Sequence, residues 1–486
     1  MNVLVINPPN TPWTSSSLLI EPIDVLTIAT YIRSLGHAVA LHDFDHERLT
    51  AVALPQLLRL TQCDVVVIPF DYHIPLYTAE AKREVTAMAA FATRAGCRVI
   101  IGGRPATYHA EDFLRSSSSR SRSITLSNAT STSTVVVRHE MEPALELLLG
   151  GADWTDRFLT SIPSISWIDQ EGSLTHSAHA KQRFQLDRLP IADRSLLPVH
   201  TYIDVHSILS SRGCVERCSF CPVHGFWGAW RGHSPERVVR EIEVLVDHHH
   251  ATKILFLDDH ATADPKRMAR ICDLLIQKSV QVTLGCLGTA HSLSGDLLSL
   301  MYAAGFRWVH IGAEYGSDVV LSHLRKRTRV NDITRAVRSA KAAGLRVRTS
   351  WIFDAPQASE TDLSETLRLI LALEPDEIRA HFLTLRAGAP LSLEHPEGNF
   401  SPTSQYIHAA ASHTNLSSIP SPVLEREIAG LVEQLRARGY LIIRNPEDWS
   451  MMEQPSINVP GVRFISFCPG RYGIGWHMPQ EMHHAA

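Results

Sequence analysis

Three cysteines, Cys214, Cys218 and Cys221, fall within eight residues of a chain that has only eight cysteines in all. They stand in Ser211-Arg-Gly-Cys-Val-Glu-Arg-Cys-Ser-Phe-Cys-Pro222, so the spacing is Cys-x3-Cys-x2-Cys. Thiolates this close can grip one iron–sulfur cluster, because each supplies a soft anionic ligand to a different iron of a cube. A four-iron cube takes four ligands and this loop offers three, which leaves one iron open. A disulfide framework fits poorly: three clustered cysteines leave one unpaired, and the N-terminus opens on a strand-like run rather than a leader. Zinc would need a second ligand pair nearby, and only His224 could complete a Cys3His set.

The loop, with Ser-Arg-Gly before Cys214 and Phe220 before Cys221, resembles the cluster loop of the radical S-adenosylmethionine (SAM) superfamily. That resemblance implies a [4Fe-4S] cluster whose open iron is chelated by the amino and carboxylate groups of SAM. It implies reductive cleavage of SAM and a 5′-deoxyadenosyl radical that abstracts a hydrogen atom. It also implies an outside electron donor of flavodoxin or ferredoxin type and a small-molecule substrate.

The elements that must hold such a loop follow it in order. Apolar runs at Ser207–Ser210, Lys253–Leu257, Gln281–Gly285, Trp308–Ile311, Arg346–Trp351 and Glu377–Thr384 read as strands separated by helical stretches. Six strand–helix units over residues 206–390 predict a partial (β/α)6 barrel, the expected radical SAM core. Acidic residues at the carboxyl end of a barrel strand face the active site, which singles out Asp258 and Asp259. The resemblance assigns that strand end to the amino group of SAM. Gly312-Ala-Glu314-Tyr-Gly-Ser317 is similar to a Gly-x-Glu-x-Gly-Ser pattern of the family, which implies SAM contacts for Glu314 and Ser317. Lys326 or Arg327 could neutralise a carboxylate, although an exposed basic face is the commoner origin of such a pair. Phe353-Asp354-Ala-Pro-Gln-Ala-Ser-Glu360 departs from the family's Gly-Leu-Pro-Gly-Glu loop, and Asp354 becomes a candidate to face substrate. His381, flanked by apolar residues, reads as a core histidine.

Residues 1–150 alternate strand and helix: strands at Val3–Asn7, Ala38–His42, Asp64–Pro69, Arg98–Ile101 and Val135–Arg138. The expectation is an α/β, doubly wound parallel sheet with its ligand crevice at the carboxyl ends of the strands. Gly102-Gly103 permits close approach of a ligand to the backbone, though a tight turn also needs glycine. The pattern, with Asn7-Pro-Pro and Ile101-Gly-Gly-Arg-Pro-Ala-Thr, resembles the cobalamin-binding domain that precedes many radical SAM cores. The family's cobalt-ligand motif, Asp-x-His-x-x-Gly, is absent; after the second strand the chain reads Asp43-Phe-Asp45-His46-Glu-Arg-Leu. Cobalamin therefore stays open. Ser116–Thr134 is a low-complexity loop.

Residues 151–205 read as a linker: a hairpin from Ile162, then a proline-rich connector. Residues 391–486 form a C-terminal region with one helix at Val423–Arg438. Its Cys468 heads a glycine-rich stretch and could bind a metal, donate a hydrogen atom, or do neither.

The chain has 486 residues, 44% hydrophobic and 20% charged, with a formal net charge of −4. That balance argues against a nucleic-acid binder. No apolar run is long enough to span a bilayer, and clustered free cysteines suit a reducing cytoplasm. The expected function is hydrogen abstraction from a small specialised metabolite. With cobalamin it leads to C-methylation; without it, to dehydration or rearrangement of a sugar-type substrate. A non-catalytic iron–sulfur redox protein is the third possibility, and it would not need the strand-end acids.

Overall fold

Val3-Leu-Val-Ile6 is an apolar run with every side chain buried, which a strand can achieve only inside a sheet covered on both faces. A computed structural model of the chain describes residues 1–9, 21–70, 79–118, 132–151, 153–180, 182–202, 205–383, 385–394, 415–443 and 462–468. The chain divides into two units, Met1–Ile203 and Asp204–Ala486.

In the first unit, β1 (Asn2–Asn7), β2 (Ala38–Asp43), β3 (Val65–Pro69), β4 (Arg98–Gly102) and β5 (Thr134–Val137) are parallel, in the order β2-β1-β3-β4-β5. The direction of winding reverses between β1 and β3, so the ligand crevice of such a sheet lies beyond Asn7 and Pro69. Helices at 23–34, 54–61 and 79–94 supply crossovers, and a helix at 142–150 follows β5. Two short helices at 104–108 and 110–118 were not evident from sequence. Most of the low-complexity loop lies outside the described residues.

The stretch expected to be a linker belongs to this unit. A hairpin, β6 (Ile165–Ile168) and β7 (Leu174–His176), pairs antiparallel with β5 and covers the sheet edge. The segment after it folds back on helix 23–34. Phe184, Leu186 and Leu189 pack with Tyr31. Arg194 forks onto Glu21, with Nη2 donating to Oε1 at 2.8 Å and Nε to Oε2 at 3.0 Å, and both side chains are buried. A bidentate pair out of water tethers one end of this segment more firmly than apolar contact alone.

In the second unit, β8 (His206–Ile208) leads to a two-residue strand, β9 (Ser211–Arg212), which pairs antiparallel with β10 (Arg231–Gly232). Then come β11 (Lys253–Phe256), β12 (Thr283–Gly288), β13 (Phe306–Glu314), β14 (Arg346–Ile352) and β15 (Glu377–His381). Two further strands from the C-terminal region, β16 (Leu441–Ile443) and β17 (Phe464–Cys468), extend the sheet. The parallel sheet thus has eight strands, ordered β16-β17-β15-β14-β13-β12-β11-β8, where sequence suggested six. Among the described residues no pairing joins β8 to β16. The extra strands are short and fixed by a distant partner, β15, rather than by local periodicity.

Alternation along β13 sorts the faces. Val309, Ile311 and Ala313 join the helix-covered core, while Trp308, His310, Gly312 and Glu314 point the other way. Carboxyl-end residues on that inner face are where barrel chemistry is built.

Replacing Arg194 with Ala would remove the bidentate guanidinium from the buried Glu21 carboxylate. The first unit is expected to lose about 3–5 kcal/mol of stability, read as a lower denaturation midpoint in urea.

Candidate functional site

The cluster loop is clamped before any metal is considered. Arg212 ends β9, and its guanidinium lies 4.9 Å above the buried Trp227 ring. Gly213 takes φ +83, a left-handed turn where a Cβ would also press on the Gly228 and Ala229 carbonyls at 3.2 Å. Past the turn, Ser219 N–H donates to the Leu324 carbonyl and the Ser219 carbonyl accepts from Leu391 N–H. The loop is therefore held at three points by separate elements. Cys214, Cys218 and Cys221 are free thiols, Cys218 buried and the others half-buried. No three His, Cys, Asp or Glu side chains among the described residues converge on a single ion. A cube does not ask for that, because it spreads its ligands over separate irons. Three free thiols on one clamped loop fit such a cluster.

Burial pushes the Cys214 thiol up to about 12, despite Glu216 N–H donating to its sulfur at 3.4 Å. Burial raises Cys218 as well. The opposing influence on both is Lys326. Its ammonium is buried and donates to Glu314 Oε1 at 2.8 Å. Burial alone would lower Lys326, but Glu314 first and then Cys218 outweigh it, so the lysine stays charged. The alternative of an exposed basic face is thus overturned for Lys326. Room for the pair comes from Gly312, where a Cβ would sit 2.6 Å from Glu314 Oε1 and 3.1 Å from Lys326 Nζ. Glu314 itself has φ +64, at a bulge where β13 slips register against β14.

The strand-end acids separate. Asp258 is buried and accepts from Ser210 N–H at 3.3 Å, Ser210 Oγ at 3.1 Å and the Ser211 hydroxyl. It anchors the entry to the cluster loop rather than offering its carboxylate to a ligand. Burial pushes its carboxyl up, partly offset by those bonds. Asp259 is half-buried one residue further on. Ser317 is also engaged, donating to Asp362 Oδ1 at 2.6 Å, while Gly316 N–H donates to Thr366 Oγ1 at 2.9 Å. These bonds pin the turn after β13 to helix 360–373. Asp354 is fully buried and accepts from Leu383 N–H at 2.7 Å, tying the ends of β14 and β15 together. Cys468 ends β17 opposite His381, but its side chain lies outside the described residues, as does the glycine-rich stretch after it.

Sequence reasoning passed over His260, His291 and Glu216. Glu216 sits inside the cysteine motif, buried, accepting from Arg327 N–H at 3.3 Å and lying 3.3 Å from His291 Nε2. His260 directly follows the acid pair. It is buried, with Nδ1 3.5 Å from Cys214 Sγ. The signal available was its position: the reading of that strand end stopped at the acids.

In the first unit the two glycines are spent on internal packing. A Cβ on Gly103, at φ +109, would sit 1.7 Å from the Phe70 carbonyl oxygen, and one on Gly102 would meet Met141 Sδ at 2.3 Å. His46 hydrogen-bonds Thr201 Oγ1 at 2.6 Å and stacks on Tyr202 at 4.1 Å. It is thereby committed to the connector.

Residues 208–370 match the radical SAM superfamily. Those residues of the second unit are a radical SAM domain. The chain is 22% identical to an anaerobic magnesium-protoporphyrin IX monomethyl ester cyclase of Synechocystis sp. over 401 residues, 79% of this chain and 75% of that protein. Among solved structures it resembles the cobalamin-dependent SAM radical enzyme OxsB, with aqua-cobalamin and SAM bound. That likeness has a TM-score of 0.69 at 15% identity and covers 90% of this chain and 67% of that one. It also resembles the radical SAM methyltransferase TsrM from Kitasatospora setae, with cobalamin and [4Fe-4S] cluster bound (TM-score 0.67, 16% identity, 90% and 88% covered). No helix among the described residues is long and apolar enough to cross a membrane.

Lys326→Met should destabilise the apoprotein by about 3–5 kcal/mol, because Glu314 is left buried and unpaired. Adding Glu314→Leu should recover most of that loss in urea denaturation. A second expectation concerns acid. Burial first, then Arg379 and Arg386, push His381 down to about 3. The unfolded ring binds a proton as pH falls through about 6.5 and the folded one does not. The stability this ring confers is full above that value and drains as pH falls toward 3. His381→Gln should flatten this part of the stability profile.

Proposed function

We propose that this radical SAM enzyme abstracts hydrogen from a small specialised metabolite and methylates a substrate carbon with the help of cobalamin. The observation that carries the second half is the β2-β1-β3-β4-β5 order of the first unit, whose winding reverses between β1 and β3. It is the arrangement in which a flat, phosphate-bearing cofactor finds a crevice at strand ends. Two solved structures whose likeness covers 90% of the chain carry cobalamin, which supports the same reading. Bound groups would supply the hard chemistry, the cluster an electron for SAM cleavage and cobalamin a transferable methyl group.

The chain's own residues do the rest. Cys214, Cys218 and Cys221 hold the cluster. Lys326, kept charged by Glu314, offsets the negative charge that three thiolates bring indoors. Asp258 fixes the loop's entry, and Asp259 is the strand-end acid we assign to the SAM amino group. His46 is engaged by Thr201 and Tyr202, so this histidine would not be the one to serve cobalt.

A second reading keeps the first unit as a scaffold, with dehydration or rearrangement of a sugar-type substrate as the outcome. It draws on the packing of Gly102 and Gly103, which leaves neither glycine to a ligand. The deciding experiment is anaerobic purification from cells that take up cobalamin. We expect a corrinoid absorption spectrum and cobalt in equal amount to cluster. We also expect 5′-deoxyadenosine when reduced protein meets SAM. Cluster without cobalt would overturn the methyl-transfer reading and leave the second. Cluster without 5′-deoxyadenosine, even with candidate substrates present, would overturn both.

A further inference from the structure

His260 lies behind the cluster loop in a pocket of hydroxyl groups. Its Nδ1 is 3.5 Å from Cys214 Sγ. Its Nε2 is 3.1 Å from Thr289 Oγ1 and 3.3 Å from Ser292 Oγ. The ring is fully buried; in its neutral form it carries one N–H, and the surroundings decide where.

The hydroxyl bonds can be traced. Ser292 donates its proton to the Thr289 carbonyl at 2.8 Å, so toward other groups Ser292 Oγ is an acceptor. Thr262 Oγ1, 2.7 Å away, must then donate to it. Thr289 Oγ1 is nearer to His260 Nε2 than to Ser292 Oγ, 3.1 Å against 3.4 Å. When Nε2 is bare, the Thr289 proton goes there rather than to Ser292 Oγ or His291 Nδ1, both 3.4 Å away. A cysteine bound to iron has lost its proton and can only accept. Both ends agree: Nε2 accepts from Thr289, and Nδ1 carries the hydrogen that points at Cys214 sulfur. The reverse tautomer would set a nitrogen lone pair against an anionic sulfur.

We propose that His260, held in the Nδ1–H tautomer by Thr289, donates a hydrogen bond to the Cys214 ligand and raises the reduction potential of the cluster. The inference rests on the cluster standing at the three cysteines; it is independent of cobalamin and of the reaction's outcome. When an external low-potential donor adds one electron, negative charge on the ligand sulfurs grows and no proton moves. A donor already aimed at one sulfur stabilises the reduced form more than the oxidised form. His260 thus acts as a positioning residue on the electron-entry step.

The test is an electron-paramagnetic-resonance-monitored redox titration of reconstituted full-length protein without SAM, with iron and sulfide measured first. His260→Phe removes the donor. At a fixed potential its ratio of reduced to oxidised cluster should fall three- to tenfold, tenfold being 59 mV for a one-electron couple. His260→Asn, whose amide N–H can take the place of Nδ1–H, should restore most of the potential. His260→Gln, which reaches instead toward Thr289, should not. Thr289→Val tests the relay without touching the ring: only the acceptor Ser292 Oγ then faces Nε2, the proton moves there, and the potential should drop. Wild-type potential in both the Phe and the Val variant, or equal loss in the Phe and Asn variants, would overturn the proposal. If the Phe variant takes up no cluster, the Val variant decides alone. A protein that binds no cluster at all fails at the iron measurement, which identifies a failure of the site reading instead.

Discussion

Charge burial at the cysteine loop is the constraint on which the second unit's inner face is built. Three thiolates around a cluster are net anionic, and taking an uncompensated anion out of water costs several kcal/mol. The chain answers with one ammonium. Lys326 lies among Glu314, Cys218 and Glu216, and it remains charged although burial works against it. Keeping it there requires Gly312, because any side chain would fill the space of the ion pair. It also requires the bulge that turns Glu314 inward at φ +64. Both thiols whose charged forms Lys326 favours are held protonated without metal, so cluster assembly has to release protons as it proceeds.

The same economy explains why the acids split into roles. A carboxylate at a barrel strand end can serve a ligand only if the protein does not already use its oxygens. Asp258 has both oxygens on Ser210 and Ser211, and so converts the strand end into a fixed base for the loop. Arg267 braces the same point from the other side, donating to the Ser210 and His233 carbonyls at 2.6 and 2.7 Å. Position at the carboxyl end is thus necessary for a ligand contact without being sufficient.

Much of this was legible in the sequence, and the reasons it stopped are physical. Continuous apolar runs and glycine stops located the parallel strands, because a doubly covered strand has no polar face to hide it. The cysteine spacing pointed to the cofactor class, because ligand geometry constrains residues close in the chain. The partners of Ser317, Asp354 and Lys326 come from 45, 29 and 12 residues away, and no local pattern announces them. β16 and β17 were missed because three- and five-residue strands carry little signal of their own. The connector was misplaced for a related reason: proline-rich sequence looks like a bridge between units, but Arg194 and its apolar neighbours commit it to helix 23–34.

The inner face of the sheet changes character from one end to the other. At the amino end Glu377 is buried between Arg348, at 2.5 Å, and Arg346, at 3.5 Å, and Arg348 lies 4.5 Å over Trp308. That layer is a paired, closed floor. Above it His310 meets Ser350 at 2.6 Å. Burial and the neighbouring arginines push the His310 ring well below its ordinary value, so it stays neutral. At the carboxyl end β15 and β17 finish side by side at His381 and Cys468, on the edge where Glu314 and the cluster loop also stand. A radical must be generated and spent where water is excluded, and a floor whose charges are already paired gives water little to bind. The chemistry is then left to the carboxyl-end layer, where the cluster loop, Asp259 and the Glu314–Lys326 pair stand.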